Sequence, residues 1–286
     1  MSYAEDCKKW LVDQFKGSIR LNGLDKKNKQ RCPHILFDSS DIHKMIFGRA
    51  SCFSYEKEGF CPQSDAHHLN SSQTFCINFF EPLRKTRVDV LQSLLRVWGI
   101  KLKGKIVHTE YEKLLSVAED THFDFYIETD LNERVFVEMK YTENEFGKFP
   151  EWKNESARMR FYADWLSYSK NLCNFFKEND LLEFKRNYQI LRNISYIRSN
   201  SDYCLFVFPR GNKPLRDEFN NFKKLLGHGM CNVGNAYSDE IIMDLSAAFE
   251  MLGSPSSRIV NHYRKLLKTY FGWYEDVLKF DHVDKK

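Results

Sequence analysis

The sequence predicts a mixed α/β protein in which helices pack on a small mixed sheet. Three observations support this fold class. Apolar and polar residues alternate in two short runs between residues 123 and 140, as they do on half-buried strands. The dense apolar run YCLFVF, at 203–208, has the length and composition of a buried strand. Helical spacing of apolar residues recurs before and after these runs, so we expect helices to flank the sheet.

The composition indicates a globular protein. The chain has 286 residues, of which 42% are hydrophobic and 15% aromatic, and this composition excludes a disordered chain. Its net charge of +4 permits a nucleic-acid partner without arguing for one. No stretch reaches the length of a membrane span, so we expect a cytoplasmic protein without a membrane partner. The eight cysteines form no CxxC pair, which favours reduced thiols.

Residues 1–75 are predicted to form an irregular N-terminal accessory region after a short amphipathic helix at 5–16. Residues 76–286 are predicted to form a second domain with a helical C-terminal extension. Periodicity predicts helices at about 83–98, 155–178, 180–199, 214–226 and 238–280, the last broken at 253–257, and strands at 105–115, 123–128, 135–140 and 203–208. Gly99 is the expected C-cap of the first of these helices, and Asn179 or Asp180 the expected N-cap of the third.

The two alternating runs are predicted to form a hairpin. Its apolar sets share one face only if the numbers of paired residues sum to an even value, so the loop holds an odd number of residues. Asp130-Leu131-Asn132 fits a three-residue loop, because Asn tolerates a left-handed conformation at its last position. Thr129 then faces Glu133. The expected apolar face consists of Phe123, Phe125, Ile127, Val135, Val137 and Met139.

This register places Asp124 opposite Glu138, with Lys140 on the same side. Two carboxylates about 5 Å apart repel one another. One of them takes a proton because its pKa is raised, or a divalent cation lies between them. A cation held next to an ammonium group suits hydrolysis of a phosphodiester. The alternative is that these charges form only the solvated face of an exposed hairpin.

At these residues the sequence resembles the PD-(D/E)xK nuclease superfamily, in which an Asp on one strand precedes (D/E)-x-K on the next. Three stretches are similar to bacterial restriction-endonuclease-like proteins of this superfamily: SSQTFCINFFEPL at 71–83, EMKYTENEFG at 138–147 and NYQILRN at 187–193. The likeness covers roughly residues 70–210. The Pro of the motif is absent, since Phe123 precedes Asp124.

The resemblance implies a restriction-endonuclease-like core and a catalytic site. Asp124 and Glu138 are implied ligands of Mg²⁺, or alternatively Mn²⁺, and the backbone carbonyl of Met139 is a further implied ligand. Lys140 is implied to position the attacking water or the scissile phosphate. Glu112 is the expected additional acid on the preceding strand, with Glu110 as the weaker choice.

Further residues have roles implied by position. Gln189 matches a Gln that some relatives place on the helix after the motif. With Arg192 and Tyr196 it is expected to share one helix face, where Arg192 would contact phosphate. Glu143 is expected to support the site or to be an ordinary loop acid.

We therefore expect a Mg²⁺-dependent endodeoxyribonuclease that binds DNA, with a homodimer left open. The alternative is a non-catalytic nucleic-acid-binding or interaction module that retains the fold. A structural zinc site is a third reading, with candidate ligands Cys52, Cys61, His67, His68 and Cys76 at irregular spacing. The run at 261–274 interleaves basic and aromatic residues, which suits nucleic-acid contact or a solvated helix face.

Overall fold

The computed structural model describes residues 2–116, 121–147, 149, 155–169, 171–173, 175, 181–226, 232–251 and 257–274. The chain divides into two compact units. One unit consists of Met1–Val88, Pro209–Gly211 and Tyr237–Lys286, and the other consists of Asp89–Phe208 and Asn212–Ala236. In the described part of the chain, no helix combines the length and the apolar character needed to cross a membrane.

The first unit, which contains both chain ends, is mainly helical and includes a small two-stranded antiparallel sheet. Its first helix starts with a capping box, in which Ser2 Oγ accepts the Glu5 N–H and Glu5 in turn accepts the Ser2 N–H. Its elements are α1 (Tyr3–Phe15), β1 (Leu21–Leu24), β2 (Arg31–Leu36), 3₁₀ helices at Ser39–Met45 and Gly48–Ala50, α2 (Tyr55–Glu58) and α3 (Ser72–Thr86). It also contains two C-terminal helices, at Ser238–Met251 and Ser257–Phe271.

The second unit is built on a five-stranded mixed sheet. Its strands lie in the order β3 (Ile106–Ser116), β4 (Thr121–Thr129), β5 (Arg134–Met139), β6 (Asp202–Phe208) and β7 (Val233–Tyr237). β3, β4 and β5 pair antiparallel, whereas β5 and β6 pair parallel. The remaining helices of the chain are α4 (Val88–Val97), α5 (Glu155–Ser167), α6 (Leu181–Arg186), α7 (Tyr188–Ile194), α8 (Lys213–Leu226), α9 (Ser238–Met251) and α10 (Ser257–Phe271).

The predicted α/β fold class is confirmed, as are the four predicted strands. The hairpin loop also has the predicted form. Asn132 takes a left-handed φ of 58°, and the Thr129 N–H donates to the Glu133 carbonyl at 3.0 Å. The pairs Phe125–Val137 and Glu128–Arg134 have the expected even sum.

The prediction that the hairpin is only half-buried was wrong, because its second strand, β5, is covered on both faces. Five consecutive residues, from Val135 to Met139, are buried. Phe123 also departs from the predicted apolar face. The centre of its ring lies 5.1 Å from that of Phe136 and 5.4 Å from that of Tyr196. Strand alternation places Phe136 on the face opposite to Val135 and Val137, so Phe123 packs on that opposite face.

Two predicted helices are each divided in the structure. The range 83–98, expected to be one helix, is shared by two helices. The Arg87 N–H bonds to the Leu83 carbonyl at the end of α3, and α4 begins at Val88. The helix expected at 180–199 divides into α6 and α7 at Asn187. The Glu183 carbonyl accepts both the Asn187 N–H, at 3.2 Å, and the Asn187 side chain, at 2.9 Å, and the backbone of Asn187 then leaves the helical conformation.

Other elements agree with the sequence or were missed by it. Gly99 ends α4 with a left-handed φ of 85°, as predicted. The β1–β2 hairpin and β7 were not predicted, because their short sequences lack strict alternation. The proposed N-cap at Asn179 or Asp180 lies outside the described residues.

Candidate functional site

The structure brings Asp124, Glu138 and Lys140 together at the end of β5. The Met139 N–H donates to Asp124 Oδ2 at 2.7 Å, so the aspartate side chain bridges from β4 to the next strand. Lys140 Nζ lies 2.9 Å from Glu138 Oε1. The Lys140 N–H continues the ladder with β6 by donating to the Val207 carbonyl. Backbone pairing thus fixes the positions from which all three side chains project.

Glu138 is held by three side-chain donors. Its Oε1 accepts from Gln189 Nε2 at 2.7 Å as well as from Lys140, and its Oε2 accepts from Asn193 Nδ2 at 2.9 Å. Glu138 is only 4% exposed. A buried carboxylate needs such partners, because an ion left without them in an apolar setting is strongly destabilised.

The electrostatics of the site follow from burial and from an excess of carboxylates. Burial raises the pKa of Asp124 well above its ordinary value, and the negative charges of Glu138 and Glu112 raise it further. Burial alone would lower the pKa of Lys140, but Glu138, Glu143 and Asp124 together raise it. Lys140 is therefore an ammonium ion at neutral pH, whereas the surroundings of Asp124 favour its neutral form more than water does.

Gly147 allows Gln189 to reach Glu138. A Cβ atom at position 147 would lie 1.7 Å from Gln189 Oε1, so any side chain there would displace the Gln amide. Gln189 lies on α7, and Gly147 closes the EMKYTENEFG stretch that begins with Glu138. The two stretches singled out by resemblance, 138–147 and 187–193, therefore meet at one carboxylate.

The loop after β5 is tied down by Glu143 and Asn212. Glu143 Oε2 accepts the Tyr141 N–H at 2.7 Å, and Asn212 Nδ2 donates to the carbonyls of Tyr141 and Glu143. Glu143 is also one of the charges that raise the pKa of Lys140. Its position agrees with the supporting place expected for it.

The other predicted residues lie at different distances from this centre. Glu112 is within electrostatic range of Asp124 and takes a left-handed φ of 50°. Glu110 instead pairs with Lys113 at 2.7 Å. The Arg192 guanidinium lies 5.5 Å from the centre of the Tyr188 ring. Tyr196 lies beyond the end of α7 and packs on Phe123 and Phe136, so it belongs to the core.

Three residues of the site region were missed by sequence reasoning: Asn193, Gly147 and Glu218. Asn193 is four residues after Gln189, and this spacing on a helix puts both amides on one face. That signal was available in NYQILRN. The side-chain oxygen of Asn193, Oδ1, has no hydrogen-bond partner among the described residues.

Glu218, on α8, gave no sequence signal because it approaches the site only through tertiary packing. Its Oε2 accepts the Phe146 N–H at 3.0 Å. Burial raises the pKa of Glu218 to about 7, the charge of Glu145 adds to the shift, and the Phe146 bond and the Lys140 charge oppose it. It is therefore an acid that titrates near neutral pH beside the candidate site.

The donor set fits a hard divalent cation. Asp124 and Glu138 are carboxylates of adjacent strands whose mutual repulsion is only partly offset by Lys140, and Mg²⁺ is typically held by one or two carboxylates together with water and phosphate oxygens. Within the described ranges, no three His, Cys, Asp or Glu side chains come together as a metal site. The proposed zinc site therefore has no ligand cluster within those ranges, and the described cysteines form no disulfide with one another.

An α/β unit with a five-stranded mixed sheet flanked by helices, and with these charged residues at the strand ends, is consistent with a restriction-endonuclease-like fold. The model of a known family, described as restriction endonuclease associating with ARP, matches residues 55–231. The chain belongs to this family. Membership indicates a restriction-endonuclease-like module that interacts with DNA. No curated protein and no solved structure matches the chain significantly.

Proposed function

We propose that this protein is a metal-dependent nuclease of the PD-(D/E)xK superfamily that hydrolyses DNA phosphodiester bonds. The observation that supports this most directly is the convergence of Asp124, Glu138 and Lys140 at the end of β5. The family model supports the coarser assignment to restriction-endonuclease-like proteins.

In this proposal Asp124, Glu138 and the carbonyl of Met139 hold Mg²⁺ or Mn²⁺. When bound, the cation supplies an activated water and screens the phosphate. Lys140, kept charged by the surrounding carboxylates, stabilises the negative charge that grows on the phosphate oxygens. Gln189 and Asn193 keep the Glu138 carboxylate oriented. Glu112 adds negative charge that favours a cation near Asp124.

The raised pKa of Asp124 gives the proposal a pH dependence. A proton and a cation compete for the same carboxylate, so cation affinity should rise with pH until Asp124 is ionised. Isothermal titration with Mn²⁺ at several pH values measures this. Affinity that does not change with pH would contradict the assignment of Asp124 as a ligand.

The decisive experiment is cleavage of supercoiled plasmid by the purified full-length chain. Nicking is expected with Mg²⁺ or Mn²⁺ and should stop with EDTA. Lys140→Met should lower the rate by about 100-fold or more, the range for loss of a charge-stabilising group. Lys224→Met, which removes an exposed lysine of α8, is the matched control and should cleave normally. Equal rates for the two variants would remove Lys140 from the mechanism.

One observation favours the non-catalytic alternative. Three donors already occupy the Glu138 carboxylate, two on Oε1 and one on Oε2, and this leaves about one of its four lone-pair sites for a cation. A binding module would keep its DNA affinity in EDTA and would not nick plasmid with any added metal ion. Chelator-sensitive nicking that is lost in Asp124→Asn excludes this alternative.

A further inference from the structure

A second charged feature lies in the first unit, at a cavity of about 370 Å³ beside α10. It is lined by Gly48, Arg49, Arg258, Asn261, His262 and Lys265. Three of the six residues are cations, and none is acidic. The cavity belongs to the basic, aromatic-rich sequence run noted at 261–274, and to the short 3₁₀ helix at Gly48–Ala50.

The wall of this cavity is rigidly built. His262 is buried, and its Nε2 donates to the Asn78 carbonyl at 2.7 Å while its Nδ1 accepts the Arg49 N–H at 3.2 Å. Burial lowers the pKa of His262 to about 4, so the ring is neutral and keeps this tautomer. Asn78 also accepts the Phe47 N–H at 3.1 Å. These bonds fix the backbone that presents Arg49.

Gly48 is required for this arrangement. Its φ is +58°, and a Cβ atom there would lie 2.7 Å from His262 Nδ1. A larger residue would push the 3₁₀ helix away from α10 and open the cavity wall. The close approach therefore makes the cavity depend on the fold rather than on mobile surface side chains.

Among the described residues, no acid forms an ion pair with Arg49, Arg258 or Lys265 at this cavity. α10 carries four basic residues (Arg258, Arg264, Lys265 and Lys268) and no Asp or Glu. Arg49, Arg258 and Lys265 form no ion pair with an acid of the described chain, whereas the buried Arg84 of the same unit pairs with Glu58 and Glu81. Lys265 Nζ lies only over the Phe47 ring, 4.6 Å from its centre. Like charges gathered in one concave place favour an anionic ligand.

We propose that this cavity and the basic face of α10 bind phosphates about three nucleotides apart on a DNA strand. The choice of DNA rests on the proposed function, and the anion-binding chemistry rests on the cavity itself. Arg258 and Lys265 are seven residues apart on a helix, which is about 10 Å along its axis. That span equals the rise of about three nucleotides of one strand.

The test measures binding of a fluorescein-labelled 30-base-pair duplex to the full chain in EDTA, where cleavage cannot occur. The variant is Arg258→Ala/Lys265→Ala, which removes two exposed cations that have no ion pair. The matched control is Lys9→Ala/Lys57→Ala, which removes the same net charge from exposed positions of α1 and α2. Circular dichroism and thermal melting check that both variants fold.

The expected result follows from counterion release. Each phosphate contact contributes about 0.9 to the slope of log K against log salt, so the double variant should lose about 1.8 of slope. At 0.1 M salt its Kd should rise about 60-fold, by the same amount for unrelated duplex sequences. Lys265→Glu alone should weaken binding in the same direction. Equal slopes and affinities for the double variant and its control would overturn the proposal.

Two further arms separate DNA from other anions and from the nuclease proposal. Inorganic phosphate and vesicles of anionic lipid are titrated against the same variants. If the double substitution weakens binding to either of these but not to duplex, the DNA assignment is wrong. In the Asp124→Asn background, where no cleavage is expected, Arg258→Ala/Lys265→Ala should lower the DNA affinity and the slope in EDTA by the same amounts. Binding can therefore be judged even if no cleavage is ever detected.

Discussion

Replacing Lys140 by Met tests the electrostatics of the candidate site without requiring any catalytic assay. Lys140 Nζ forms an ion pair of 2.9 Å with Glu138, and the two side chains are 14% and 5% exposed. Met keeps much of the length and apolar volume of the lysine stem. The substitution therefore removes the charge while leaving the packing largely filled.

The expected loss of stability is about 3 kcal/mol. Removing one partner of a buried ion pair typically costs about 3–5 kcal/mol, because the other charge is left uncompensated. Gln189 and Asn193 still donate to Glu138, so the lower end of the range applies. For a unit of this size the loss corresponds to a fall in Tm of about 6–12 °C.

The assay is a double-mutant cycle with Lys140→Met, Glu138→Gln and the combined variant, followed by urea unfolding at pH 7. Glu138→Gln removes the carboxylate charge that Lys140→Met leaves without its ion-pair partner. We therefore expect the combined variant to be more stable than Lys140→Met alone, with a coupling of at least 1 kcal/mol. A loss below about 0.5 kcal/mol for Lys140→Met, with no coupling to Glu138, would refute a buried and interacting pair.

Three other predictions address the neighbouring residues. Gly147→Ala should displace Gln189 and destabilise the protein by about 1–3 kcal/mol, which is the range for overpacking. Adding Gln189→Ala to that variant should recover stability, and urea denaturation of both variants measures this. Glu218 has a folded-state pKa of about 7 against an ordinary 4.5, so the stability that its proton provides is full below pH 4.5 and is lost as pH rises through 7. After allowance for partial exposure, wild type should lose about 1–2 kcal/mol more than Glu218→Gln between pH 4.5 and 7.5, and parallel urea titrations should show no difference if the acid is not perturbed. Asn132→Ala should cost about 1 kcal/mol because of its left-handed φ, while Asn132→Gly should be nearly neutral in thermal melts.

Much of the hairpin was predictable because its rules are local. The side-chain period of two fixed the register, and the left-handed tolerance of Asn132 fixed the loop. Together they placed Asp124 and Glu138 on adjacent strands. Local rules failed at Asn187, where the backbone leaves the helical conformation, with a φ of −109° and a ψ of 19°, although the apolar spacing looked continuous.

The surroundings of the site were decided by contacts distant in sequence. Asn193 reaches Glu138 across 55 residues, and Glu218 reaches the Phe146 backbone across 72. No period or motif encodes the burial that raises the pKa of Glu218. The same holds for the cavity at Arg49, whose partner helix lies more than 200 residues later in the chain.

By itself, the sequence determined the class of the fold, the pairing of the two central strands and the three charged residues that meet at their ends, because alternation and turn chemistry act between near neighbours. Only the tertiary structure decided that both faces of β5 are buried, that two amides and an ammonium hold Glu138, and that three cations of the other unit share one cavity. Burial and charge compensation depend on which distant segments pack together, and no local pattern specifies this.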